Sequence, residues 1–250
     1  MSRIIGALNY KGGTGKTTTV VNLAAGLALR GTRVLCIDLD AQTSLAAYLG
    51  VSYTYSLTDL LLGQAEPQTC IVQARENFDL IPSGPNLLRA EGKLWRMDDD
   101  QLARQALADK MQGIGGYDYV ILDYSPSASL VNECGLFYTR ELIVPVAMTY
   151  LALIGVRQVI QTLKTVDRVP GHRIRLAFVL PTFYYARLRK DREVMESLQR
   201  HFAGKVAEPI RANVRLAESP SHQMSIYEYA PHSFGAADYA HLVERVVEDG

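Results

Sequence analysis

Residues 9–18 read Asn9-Tyr10-Lys11-Gly12-Gly13-Thr14-Gly15-Lys16-Thr17-Thr18, between an apolar run and an amphipathic stretch. The run Ile4–Leu8 reads as a buried strand and Lys16–Arg30 as a helix. Glycines at 12, 13 and 15 let successive backbone N–H groups turn inward and approach an anion with no Cβ in the way. The helix N-terminus near Lys16 adds its dipole to the same place. The segment Lys11–Thr18 is therefore expected to cradle phosphates. Lys16 is expected to reach the β- and γ-phosphates of a nucleotide, and the Thr17 hydroxyl to ligate Mg²⁺. Gly12, Gly13, Thr14, Gly15 and Thr18 complete the cradle. A glycine-rich turn with an incidental lysine is the alternative, and the strand–loop–helix setting argues against it.

Outward from the loop, short apolar runs alternate with longer amphipathic segments. Strands are expected at Ile4–Leu8, Val34–Ile37, Phe78–Ile81, Tyr119–Leu122, Glu141–Val146 and Arg175–Leu180. Several are apolar at consecutive positions, as strands covered on both faces are. Helices are expected at Lys16–Arg30, Ser56–Leu62, Gln101–Met111, Leu153–Val169, Arg187–Phe202 and Gly235–Val247. The alternation predicts an α/β fold: a doubly wound, mostly parallel sheet with helices on both faces and ligands at the carboxyl ends of the strands. No repeat or linker divides the chain, so residues 1–250 read as one P-loop domain.

Two strands end in acids. After the second comes Asp38-Leu39-Asp40-Ala41-Gln42, and after Tyr119–Leu122 comes Asp123-Tyr124-Ser125-Pro126-Ser127. Carboxylates at strand ends facing a phosphate loop can hold Mg²⁺, directly or through water, and orient an attacking water. Solvated aspartates closing a strand are the plainer reading of 38 and 40. Asp123, ending an apolar strand, fits the Walker B pattern.

The general phosphate-loop pattern is GxxxxGK[ST], yet Lys11 stands where that pattern has its first glycine. A second cation beside the phosphates is redundant within one subunit and makes sense if it crosses to a partner's nucleotide. KGGTGKTT resembles the signature of the ParA/MinD family of deviant Walker A ATPases. Asp38–Gln42 is similar to that family's DxDPQ element and Asp123–Ser127 to its DxPPS element. LIPSGPNLLRAE, Pro145 with the Tyr150–Gly155 stretch, VLPTFYYAR and ANVRLAESPSH extend the likeness over about residues 3–247. It is closest to the chromosomal ParA (Soj-like) group, with no leading helix-turn-helix domain.

That resemblance implies ATP and Mg²⁺ as ligands and an ATP sandwich homodimer in which Lys11 acts in trans. It implies hydrolysis of ATP and water to ADP and phosphate, slow and partner-stimulated, with Lys11, Lys16 and Asp40 catalytic. Thr17, Asp40 and Asp123 serve the metal, and Asn213 with Arg211 flanks the nucleotide base. Four positions depart from the pattern: Thr14 replaces Val, and Ala41, Ser125 and Arg211 each replace Pro.

Lysines plus arginines number 26 and aspartates plus glutamates 26, so no global field drives the chain onto nucleic acid or anionic lipid. A local run is basic: Arg187, Arg189, Lys190, Arg192, Arg200, Lys205, Arg211 and Arg215 outnumber their acidic neighbours. On the residues alone, a solvated helix face is the favoured reading of such a run. In the Soj-like group, however, arginines matching Arg187 and Arg215 are linked to non-specific double-stranded DNA binding. Three scattered cysteines at 36, 70 and 134 suit a reducing compartment. With no signal segment and no apolar stretch near the roughly 18 residues a membrane span needs, the expected location is cytoplasmic, and the resemblance implies association with the nucleoid.

The resemblance thus implies a ParA-like partition ATPase for chromosome or plasmid segregation, released by a ParB-like or other adaptor protein. Alternatives are a related ATPase positioning another cargo, such as a carboxysome or chemotaxis cluster, or a MinD-like membrane-binding regulator. The acidic tail 241–250 argues against a membrane as partner. A metabolic P-loop enzyme of the dethiobiotin synthetase kind needs an acceptor site that no motif marks. Trp95 reads as a packing residue. The histidines lack metal-ligand spacing, and Cys134 lacks the second cysteine an iron–sulfur cluster requires.

Overall fold

The loop quoted above leaves the inner strand of a seven-stranded sheet, in a computed structural model that describes residues 2–249. Strand β1 (Arg3–Ala7) runs into the loop and then helix α1 (Lys16–Ala28), followed by β2 (Val34–Asp38). Short helices α2 (Ser44–Leu49), α3 (Leu57–Leu62) and α4 (Pro67–Cys70) lead to β3 (Val72–Arg75) and β4 (Phe78–Ile81). Then come α5 (Leu87–Leu94), α6 (Asp100–Lys110), β5 (Tyr119–Asp123), α7 (Leu130–Tyr138), β6 (Glu141–Ala147) and α8 (Ala152–Val166). The chain closes with β7 (Arg175–Thr182), α9 (Arg189–His201), α10 (Val214–Glu218), a 3₁₀ turn at Ser219–His222, α11 (Ile226–Tyr229) and α12 (Phe234–Glu248).

The strand order is β3-β4-β2-β5-β1-β6-β7. All pairs are parallel except β3 with β4. β1 lies between β5 and β6, so the chain leaves it toward one side of the sheet early and toward the other later. That reversal opens a crevice at the carboxyl ends of the central strands.

Consecutive apolar residues explain the layering. In β2, Val34 and Cys36 join one buried layer while Leu35 and Ile37 join the other. The first layer holds α1, α2, α11 and α12; the second holds α3 and α5–α9. A strand with one solvated face would have alternated polar residues with these.

All six expected strands and six expected helices are present, with ends shifted by a few residues. β3 went unread because VQAR is a half-buried antiparallel edge with no apolar run. α2, α4, α10 and α11 are too short to display a helical period. α5 and α7 are longer, but α7 is apolar nearly all round, which erases its periodicity. Helix α9 begins at Arg189, and Leu188 before it is extended, so Arg187 sits in the preceding turn rather than on the helix. Trp95 corrects the sequence reading: it is 66% exposed at the end of α5, and Leu94 fills the core there instead.

Candidate active site at the strand ends

Register places the site. Ala7 of β1 and Asp38 of β2 both pair with Asp123 of β5. The phosphate loop, the Asp38–Asp40 turn and the end of β5 therefore meet at one edge. Gly13 and Gly15 have φ of 69° and 84°, a left-handed backbone that other residues adopt only with strain. The loop is held from outside as well. Asn9 donates through Nδ2 to the Pro145 carbonyl (2.8 Å) and accepts from the Lys11 amide at Oδ1 (3.0 Å). The Thr182 hydroxyl donates to the Thr14 carbonyl across 2.9 Å.

Lys16 is buried at the start of α1, and its ammonium donates to the Lys11 carbonyl at 3.3 Å. Burial lowers its pKa, and Asp123 and Asp40 pull it back up. The ammonium thus rests on a neutral oxygen near two carboxylates, with no ion pair closer than 4.0 Å among the described residues. Lys11 is exposed, and its Nζ meets only the Thr149 hydroxyl among the described residues, at 3.3 Å. Gly12 is open to solvent, Thr14 is buried, and Thr17 and Thr18 are half-buried at the top of α1.

The acids divide. Asp38 is fully buried and its oxygens accept from the backbone amides of Asp40 (2.9 Å) and Leu45 (3.1 Å). These two bonds tie Asp38 to the backbone of the 39–44 turn. Asp40 is half-buried, with Oδ1 accepting from the Gln42 amide at 3.0 Å. Asp123 is buried, and neither carboxylate oxygen has a hydrogen-bond partner among the described residues. Burial pushes its pKa up to about 7, with the Asp40 charge adding to the rise, while Thr17 and Lys16 nearby pull it down. Burial, then the Asp123 charge, raises Asp38 as well.

An orphaned buried carboxylate beside a threonine hydroxyl fits a divalent cation. Among the described residues no three acids, histidines or cysteines are grouped to hold a metal by themselves. A hard cation that keeps most of its waters and takes phosphate oxygens needs no such group. Thr17 and Asp123 would hold such a cation, with the Asp40 charge nearby.

Asp123 also yields a stability prediction. Its folded pKa lies above the unfolded value, so the protonated form stabilises the fold at low pH and that contribution is lost as pH rises through about 7. Without nucleotide or metal, Asp123→Asn should raise the melting midpoint near pH 8 by roughly 4–8 °C, on the order of 2 kcal/mol. The gap should shrink as pH falls below 7 and close only toward about 4, the unfolded carboxylate value. Calorimetry across that range checks it, and a gap that does not vary with pH counts against the buried, unpaired carboxylate.

Beside the loop lies a cavity of about 460 Å³ lined by Gly15, Thr18, Phe183, Tyr185, Arg211 and Asn213, among others. A parallel bridge between Tyr184 and Arg211 brings the two outer segments together. Asn213 caps α10 by accepting the Arg215 amide at Oδ1 (2.9 Å). Arg211 lines the cavity, but its guanidinium is committed elsewhere. Its Nε donates to Asp238 at 3.0 Å and the group lies over the Phe234 ring at 4.3 Å. Arg187 is exposed in the turn after β7, and Arg215 is exposed but paired with Glu218 at 3.0 Å. Of the other cations in the run, Arg189 pairs with Glu193, and Lys190 binds the Met148 carbonyl and buried Asp191.

Asn9, Thr149 and Thr182 were not singled out from sequence. Asn9 adjoins the loop and was open to inspection there. The other two lie far along the chain and carry no local signal. Cys134 is buried and donates through its thiol to the Ala103 carbonyl. No helix is long and apolar enough to cross a membrane among the described residues.

A family model described as an AAA domain matches residues 2–176. The chromosome-partitioning ATPase Soj of Thermus thermophilus is 40% identical over 246 residues, spanning 98% of this chain and 95% of that protein. The sporulation initiation inhibitor protein Soj of Bacillus subtilis is 35% identical over 256 residues, spanning 100% of each. Among solved structures, cobyrinic acid a,c-diamide synthase from Mycobacterium smegmatis with bound ATP analogue and magnesium matches with a TM-score of 0.82 at 30% identity. That match covers 99% of this chain and 95% of the other.

Proposed function

The chain belongs to the Soj/ParA family of chromosome-partitioning ATPases, and from that premise we propose that it is a nucleotide-gated DNA-binding dimer. ATP seats its phosphates on residues 11–18 and its base in the cavity lined by Asn213. Mg²⁺, held by Thr17 and Asp123, supplies charge neutralisation at the phosphates when bound. Lys16 stabilises the charge that develops on the transferred phosphoryl oxygens, and Asp40 positions the attacking water. Lys11 reaches the partner subunit's nucleotide, so ATP joins two subunits. The observation that carries this reading is the buried convergence of Lys16 and unpaired Asp123 on a loop whose second lysine, Lys11, is left exposed.

The joined pair then presents two copies of Arg187 and Arg215 to DNA phosphates. Each patch alone is weak, and doubling it makes affinity depend on nucleotide state through avidity. Hydrolysis, accelerated by a ParB-like or other adaptor, separates the subunits and releases the DNA. This assigns the protein to segregation of a chromosome or plasmid and to a nucleoid location in the cytoplasm.

Duplex DNA binding measured with ADP and with ATP across a salt series tests the switch. Binding should be strong only with ATP and should ignore sequence. Replacing Arg187 and Arg215 together by Ala removes up to four phosphate contacts per dimer, so the log–log salt slope should flatten by about 3–4. Arg187→Ala alone should account for more than half, since Arg215 already answers Glu218. Equal affinity with either nucleotide would sink the proposed switch.

A further inference from the structure

A second cavity, of about 450 Å³, lies between α7 and α8, apart from the nucleotide crevice. Asn132, Leu136 and Phe137 line it from α7, and Thr162, Thr165 and Val166 from α8. Tyr10 of the phosphate loop closes one wall. Two of these residues are tied directly to the nucleotide loops. The Tyr10 hydroxyl hydrogen-bonds the Thr162 hydroxyl at 2.9 Å, and its backbone continues into Lys11. Asn132 donates through Nδ2 to the carbonyls of Ser125 (3.0 Å) and Ser127 (2.6 Å), in the loop that follows Asp123.

Asn132 is buried, yet its Oδ1 has no hydrogen-bond partner among the described residues. Buried amide oxygens are nearly always satisfied, so this one marks a place where a donor belongs. The rim charges Arg104 and Glu133 neutralise each other at 2.7 Å, which leaves the cavity without net charge. Its walls otherwise combine aromatic and aliphatic side chains with a few neutral polar ones, among them Thr162 and Thr165, and its volume falls within the range of small-molecule sites.

We propose that this cavity binds a compact, neutral aromatic molecule carrying one hydrogen-bond donor, and that its occupancy is transmitted to both nucleotide loops through Tyr10 and Asn132. The ring packs on Leu136, Phe137 and Val166, and the donor satisfies the Asn132 oxygen after a small turn of that side chain. A ligand seated there presses on the Tyr10–Thr162 bond on one side and on the Ser125–Ser127 tether on the other. Neither step depends on Lys11 acting across a dimer, so this site can fail or stand independently of the proposed function.

Indole serves as the probe, and benzofuran, its near-isostere without the N–H, as the control. In ¹⁵N-labelled protein, indole should shift the Asn132 side-chain amide and the Tyr10 and Lys11 backbone amides saturably, with benzofuran at least about tenfold weaker. Thr165→Trp, at an exposed rim position, fills the cavity and should abolish these shifts with the melting midpoint unchanged. Gln161→Trp repeats the block from the neighbouring rim position should the first variant not fold. Shifts that survive either block, that cluster on Thr18 and Asn213, or that are equal for benzofuran overturn the site. Shifts at Asn132 with Tyr10 and Lys11 unmoved overturn the coupling.

Discussion

Lys16→Ala should abolish measurable ATP turnover, with a loss of at least about 10²–10³-fold, and weaken ADP binding as well. The environment of this lysine is the reason. Its ammonium is buried at a helix N-terminus and rests on the Lys11 carbonyl, a neutral acceptor that keeps it charged without occupying it in an ion pair. Burial lowers its pKa while Asp123 and Asp40 hold it up, so the cation is already desolvated on the phosphate side of the loop. A preorganised, poorly solvated charge stabilises a transition state more than one that must shed water. Arginine should not rescue, because its planar fork needs room that a buried ammonium does not. Phosphate release and ADP calorimetry on folded variants check both parts. A Lys16→Ala protein that turns over at the normal rate would refute the assignment of the loop.

The sequence made this part of the site legible because every signal was local. Residues 9–18 carry their own turn glycines, their helix start and their lysines within ten positions, and the flanking strand and helix confirm the setting. Asp123 was equally plain, as an acid closing a run of buried residues. What could not be read depends on contacts across the chain. Thr182 reaches the Thr14 carbonyl from 168 positions away, and Thr162 reaches Tyr10 from 152. Neither threonine differs locally from any other on a strand or helix. Asp38 and Asp40 looked alike at a strand end, and only the 39–44 turn separates the buried anchor from the accessible acid. Arg211 invited a binding role by its position beside Asn213, yet Asp238 and Phe234, which claim its guanidinium, sit a further 23 residues on or more. Trp95 misled because an aromatic in an amphipathic stretch usually packs inward. Here the helix turns Leu87, Ala90 and Leu94 to the core and Trp95 falls off that stripe.

Lys11→Ala should produce a different failure from Lys16→Ala, and the difference bears on whether the proposed dimer exists. Lys11 is exposed, touches only the Thr149 hydroxyl and has no carboxylate partner among the described residues. Beside Thr149 stand Tyr150, Leu151 and Ile154, all exposed on the first turn of α8 and before it. A free cation next to apolar side chains suits a surface that is covered by another subunit. Removing it should leave ADP binding by the single subunit within about threefold, since Lys16 makes the contacts within that subunit. Joining of subunits by a non-hydrolysable ATP analogue should be lost in light scattering, and turnover should fall by about 10³-fold or more, as for other cations supplied in trans. Mixing decides between the two geometries. A Lys11→Ala subunit retains Asp40, and an Asp40→Ala subunit retains Lys11, so a mixed pair contains one complete site only if the lysine crosses over. Where half of the pairs are mixed, about a quarter of wild-type turnover then returns from two inactive proteins. If the mixture remains dead although the subunits pair, Lys11 serves its own nucleotide and the gating argument falls.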